Sequence, residues 1–215
     1  MPPGMPAPTP PVQAKLALAS SSGFGLTHEL RESLCAAGLE PREGVPGVPL
    51  HQIRELEWWE ETAVGNVRLV CTPARHFSGR GATDRNRSLW ASWAIVGSTQ
   101  RVWFSGDTGP FPQAAEIGER LGPFDLSMIE VGAYDPAWGT VHLGPDEALK
   151  MHKQVGGRLM FPVHWGTFNL APHRWDQPLA RLVEQGSLLG VELLVPEVGQ
   201  TKDIDEIKRT LIPVI

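Results

Sequence analysis

Arg101–Gly109 reads RVWFSGDTG. Its first half has the β-branched and aromatic composition of a buried strand, and the Ser105-Gly106-Asp107-Thr108-Gly109 turn ends that strand. The plain role of Asp107 in such a turn is to cap backbone N–H groups. Two other stretches repeat the arrangement. Val67–Thr72 (VRLVCT) leads through Pro73, Ala74 and Arg75 to His76, and Leu159–Val163 (LMFPV) leads directly to His164-Trp165-Gly166. Each places one His or Asp behind an apolar run. Proteins of mixed α/β class gather functional groups there, because strand ends are rigid and the following loops leave room.

Working outward, Ser88–Val96, Asp125–Val131 and Val191–Val195 read as further strands. Pro112–Leu121, Pro145–Gln154 and Asp176–Gln185 read as helices, each with Pro in its first turn, and Asp203–Leu211 as a tail helix. This alternation predicts α/β layers. Trp58 and Trp59 are expected to pack between helix and sheet, and Cys71, inside a strand, to be an inert core thiol. Upstream the pattern weakens. Residues 1–13 are Pro-rich and expected to be disordered. Residues 14–50 form a lead-in with a short helix from Thr27 and a Gly/Pro loop from Gly38 to Pro49. Residues 51–215 form the main domain.

Composition narrows the function classes. Hydrophobic residues at 41% and charged residues at 20% are ordinary for a globular chain. A net charge of -5 offers no basic footprint for nucleic acid. The absence of a long apolar run predicts no transmembrane helix. The weak N-terminal stretch predicts no secretion leader and hence a cytoplasmic protein.

His and Asp together suit a divalent metal: imidazole and carboxylate both ligate zinc, and a carboxylate can bridge two ions. The bland alternatives are a packed, hydrogen-bonded histidine beside Trp165 and a simple turn at Asp107. Asp107-Thr108-Gly109 also admits a dimerising aspartic protease, although that fold is nearly all β and this chain reads as having several helical segments.

Seven blocks decide among these readings. TPARHFSGRG, DRNRSLWASW, FSGDTG, EIGERLGPFDL, VGAYDPAW, HLGPDEAL and VHWGTF follow one another in order, and the likeness they carry covers roughly residues 55 to 198. This run resembles the metallo-β-lactamase superfamily, and within it the C-terminal part of the N-acyl-phosphatidylethanolamine phospholipase D-like hydrolases. The resemblance implies an αβ/βα sandwich with a binuclear zinc site. It implies a hydrolase acting on a phosphodiester or related ester of a small molecule or lipid through a zinc-bound hydroxide. His76 matches a ligand of the first zinc, Asp107 the bridging carboxylate and His164 a ligand of the second. His142 matches a position beside the site outside the ligand set and joins Asp107 as a catalytic candidate. Arg80, Tyr134 and Trp165 are the substrate-binding candidates, and Asp84–Arg87 a second place for an anion. The family's H-x-H-x-D-H motif has no counterpart: His28 precedes Glu-Leu-Arg and His51 precedes Gln-Ile-Arg. The sandwich is therefore expected to be incomplete at its N-terminus, zinc binding to be weak or partial, and the bared sheet to favour self-association. The alternative is a truncated, catalytically inactive remnant of such a hydrolase.

Overall fold

The computed structural model describes residues 14–17, 53–78, 83, 85, 86, 89–197 and 200–204. The expected Pro-rich start, the helix from Thr27, the loop up to Pro49 and all but the first two residues of the tail helix lie outside them. The chain divides into two compact units, Met1–Trp58 with Gly79–Leu89, and Trp59–Ser78 with Trp90–Ile215. In the first, β1 (Ala14–Ala17) pairs antiparallel with β2 (Ile53–Leu56).

The second unit holds a seven-stranded sheet. Its strands are β3 (Glu61–Val64), β4 (Val67–Pro73), β5 (Ala91–Val96), β6 (Arg101–Phe104), β7 (Phe124–Glu130), β8 (Gly157–Val163) and β9 (Glu192–Leu193), in sequence order across the sheet. From β3 to β6 the neighbours are antiparallel, and from β6 to β9 they are parallel. Parallel neighbours need a crossover, which α1 (Ala114–Leu121), α2 (Gly144–Gln154) and α3 (Gln177–Leu189) supply.

One register row explains how the sheet is covered. Val70, Ala94, Trp103, Ser127, Met160 and Leu193 lie opposite one another on successive strands. All but Ser127 belong to or pack against the core that includes Ala114 and Ile117 of α1, Ala148, Leu149 and Met151 of α2, and Leu182 of α3. Trp59 packs against the same core, and the Arg120 guanidinium of α1 lies 4.1 Å above its ring, so this Trp does sit between helix and sheet. On the other face the row Cys71, Trp93, Phe104, Met128, Phe161 is half-buried except for the fully buried Cys71. Burial, with the nearby Glu60 charge, pushes the Cys71 thiol up to about 12, which makes it unreactive.

The expected elements differ from the observed ones mainly at their ends. β5 starts at Ala91 rather than Ser88, and α1 starts at Ala114, after a turn at Pro112 and Gln113. α3 runs four residues past Gln185 and stops where Gly190 takes the left-handed conformation that ends helices. β9 is shortened to two residues. β3 is a strand that apolar content could not reveal. It is mostly exposed and is held by a hairpin turn at Gly65 and Asn66.

Candidate metal centre

The pairing directions place the chemistry. β4 is antiparallel to β5 and β5 to β6, so β4 runs the same way as β6, β7 and β8. Their C-terminal ends therefore share one edge of the sheet. His76 follows β4, Asp107 follows β6, Glu130 ends β7, and His164 follows β8.

Backbone bonds sew these four ends together. Arg75 N donates to Thr108 Oγ1 at 2.9 Å, and Gly109 N donates to Arg75 O at 2.8 Å, which ties the His76 loop to the Asp107 turn. Ser105 N donates to Met128 O, and Glu130 N donates to Ser105 Oγ at 3.0 Å. Val131 N donates to Val163 O at 3.1 Å, beside His164. Gly132 is required here: a Cβ on it would collide with the His164 carbonyl oxygen. His164 itself has φ 61, a left-handed conformation that is costly without glycine and that persists where surrounding structure enforces it, often at functional sites.

Asp107 Oδ1 and His164 Nε2 lie 3.6 Å apart, both partly open to solvent. The His164 ring stacks on His142 at 5.3 Å between centroids and 17° between planes, and His142 meets the His76 ring edge-on at 5.1 Å. His76 is clamped between Phe77 at 4.4 Å and Trp90 at 4.6 Å. Its Nδ1 lies 2.8 Å from Phe77 O, and a carbonyl only accepts, so Nδ1 carries the proton and Nε2 keeps a free lone pair. That Nε2 is buried without a hydrogen-bond partner. A buried imidazole nitrogen with a free lone pair suits a divalent cation, but His76 and Asp107 stand outside the group of ligand atoms that come within 4.8 Å of one another among the described residues, which is Glu130, His142 and His164.

Sequence reasoning missed Glu130. It is wholly buried, accepts from His142 Nδ1 at 2.7 Å through Oε2 and accepts from Leu143 N at 2.7 Å through Oε1. Leu143 caps the start of α2, so the carboxylate also sits at the positive end of that helix. Burial pushes the Glu130 carboxyl up, against the opposing pull of His142 and the Leu143 N–H. Burial pulls His142 down, but the hydrogen bond and charge of Glu130 outweigh it, and the imidazole is held above its usual range. Glu130, His142 and His164 can bring one ligand atom each within 4.8 Å of one another. The only signal in the sequence was a Glu closing an apolar strand, and nothing local marked it as distinct from a solvated strand end.

The substrate candidates divide. Arg80, like Asp84 and Arg87, lies outside the described residues. Trp165 donates from Nε1 to Pro162 O and lines a cavity of about 320 Å³ with His164, Phe168, Leu170 and Trp175. Tyr134 is stacked on His173 at 4.8 Å and packs over Gly144, lining a separate hollow with Asp146 and Arg181. Thr108, the middle residue of the Asp-Thr-Gly triplet, is spent on the Arg75 N–H, and a mixed sheet with crossover helices is not an aspartic protease fold.

A mixed sheet with parallel strand ends that deliver His and Asp to one edge defines the class: the fold is that of the metallo-β-lactamase superfamily. Residues 24–165 match the family model described as the beta-lactamase superfamily domain, and the chain belongs to that family. An uncharacterized protein of Mycobacterium tuberculosis is 46% identical over 160 residues, covering 73% of this chain and 43% of that protein. The N-acyl-phosphatidylethanolamine-hydrolyzing phospholipase D 1 of Caenorhabditis elegans is 41% identical over 133 residues, covering 59% of this chain and 37% of that enzyme. This chain thus spans less than half the length of these relatives. Among solved structures, the metallo hydrolase Igni18 of Ignicoccus hospitalis shares the fold, with TM-score 0.53 and 18% identity over 82% of this chain and 66% of that one. No helix among the described residues is long and apolar enough to cross a membrane.

Proposed function

We propose that this chain carries part of the active site of a metal-dependent hydrolase acting on a phosphodiester or related ester, with His76, Asp107 and His164 as its metal ligands. The observation that carries this reading is the free, buried Nε2 of His76 on the sheet edge where Asp107 and His164 face each other. Zinc is the ion that neutral imidazoles and one carboxylate suit best. When bound, such an ion lowers the pKa of a water and polarises the ester. The chain's own residues do the rest. Asp107 contributes the charge that neutralises the ion. His142, fixed through Nδ1, keeps Nε2 for moving a proton to or from the reacting groups. The apolar cavity beside His164 receives the hydrocarbon part of the substrate, in keeping with the lipid named for the Caenorhabditis elegans relative.

The sequence contains no H-x-H-x-D-H run, and this favours a second reading, a module that keeps the fold without turnover. One set of measurements separates the two. Chelator-stripped protein titrated with zinc is expected to bind weakly and below two ions per chain, and Asp107→Ala is expected to abolish that binding. Hydrolysis of bis-p-nitrophenyl phosphate is expected to be slight for the chain alone and to rise when the N-terminal part of the mycobacterial relative is fused to it. Zinc binding that survives in Asp107→Ala, or none in the parent chain, refutes the assigned ligands. A fusion that binds zinc fully yet turns nothing over selects the second reading.

A further inference from the structure

Glu130 is a buried carboxylate with two imidazole edges at one of its oxygens. Oε2 lies 2.7 Å from His142 Nδ1 and 3.6 Å from His164 Nδ1. The His164 Nδ1 atom is itself buried and unpartnered, a few tenths of an ångström outside hydrogen-bond range of that oxygen. The two rings are nearly parallel, at 17°. With both Nδ1 edges at one carboxylate, both Nε2 edges are left to face elsewhere, and that of His164 faces Asp107.

We propose that Glu130 is a positioning residue shared by two histidines: its single carboxylate holds His142 and His164 by their Nδ1–H groups and commits both rings to work through Nε2. The proposal rests on the ligand assignment above for His164 alone; for His142 it stands on the hydrogen bond. Histidines that ligate metals commonly donate their second N–H to a carboxylate, which fixes tautomer and ring orientation. Here one carboxylate serves a ligand and its proton-handling neighbour together.

The competing arrangement makes Glu130, His142 and His164 a direct metal triad, since their donor atoms are close enough. Two facts oppose it. Both Glu130 oxygens are already used, by His142 and by the Leu143 N–H, and the side chain has no exposure. A metal on Oε2 would displace the His142 hydrogen bond.

The test is long-range ¹H–¹⁵N NMR of the histidine rings in the full chain, at a pH where they are neutral. Metal-free protein is expected to show His142 and His164 protonated at Nδ1, and Nε2–H on either ring overturns the proposal. In the zinc-loaded protein the metal-induced ¹⁵N shift is expected at His164 Nε2; a shift at Nδ1 supports the direct triad and overturns the proposal. Glu130→Gln is expected to mix the tautomers of both rings and weaken zinc binding 10- to 100-fold, with partial recovery in Glu130→Asp. If Glu130→Gln does not fold, the spectrum of the unaltered chain still decides. A chain that binds no zinc but shows both Nδ1–H tautomers upholds this inference while sinking the proposed function.

Discussion

β7 carries two histidine partners three residues apart, and they have opposite effects. Ser127 Oγ, in the middle of the strand, lies 2.7 Å from His152 Nδ1; Glu130 Oε2, at the strand's end, lies 2.7 Å from His142 Nδ1. The bond lengths are the same. His152 is 3% exposed, sits among the core residues of α2 and faces an uncharged oxygen, so burial, with Lys153 nearby, pulls its pKa down to about 4. His142 is on the half-open sheet edge and faces a carboxylate, so its pKa goes up. Hydrogen-bond length therefore does not decide which way a histidine's pKa moves. The charge of the partner and the access to solvent do.

The largest effect is expected at Glu130. Glu130→Ala leaves the Leu143 N–H and the His142 ring unpaired in a closed space. Removing one partner of a buried pair costs about 3–5 kcal/mol, which denaturant unfolding at neutral pH will read. A loss below about 1 kcal/mol would show that the carboxylate is not gripped as described.

The pH dependence of stability isolates His152. Unfolded His152 takes a proton near 6.5, whereas the folded residue does so only near 4. Its contribution to stability is whole above pH 6.5 and falls as pH drops through that window. At pH 5 the loss amounts to about 2 kcal/mol. Unfolding curves at pH 7 and pH 5 should show this slope. The double variant Ser127→Ala with His152→Leu, which replaces both partners by apolar groups, should lose that part of it. An unchanged slope would mean that His152 is not the source.

Ser127→Ala alone should cost about 1–2 kcal/mol at neutral pH, because His152 Nδ1 is left buried without its oxygen. The same substitution should leave zinc affinity unchanged, as Ser127 lies on the helix-covered row of the sheet and not at its edge. Asp107→Ala is the mirror case. It should alter stability by no more than about 0.5 kcal/mol, since the side chain is partly exposed and makes no buried bond, while it removes zinc binding. If Asp107→Ala destabilised the fold as much as Glu130→Ala, the division between scaffold and site drawn along β7 would fail.

Much of the fold was legible in the chain. The strands β4 to β8 were marked by apolar runs broken by Gly and Pro, and the crossover helices by Pro or acidic residues in their first turns. β3 was not, because an edge hairpin that buries almost nothing has no hydrophobic signature. The ends of α1, α3 and β9 were missed by a few residues, because the ends of elements are set by capping and packing rather than by composition.

The sequence by itself determined which strand ends carry His76, Asp107 and His164, since each sits directly behind an apolar run, and the order of its motif blocks determined the family. It could not determine that these ends meet. That follows from strand direction: two antiparallel reversals bring β4 into line with β6, β7 and β8, so that positions as far apart as 76 and 164 share one edge. The resemblance singled out His142 and not His152, but nothing in the chain gave the physical difference between them, ten residues apart and both bonded through Nδ1. Only the tertiary structure sets one against Ser127 inside the core and the other against Glu130 at the rim. A histidine's chemistry depends on the charge and solvent beside it, and both are supplied by residues remote in the chain.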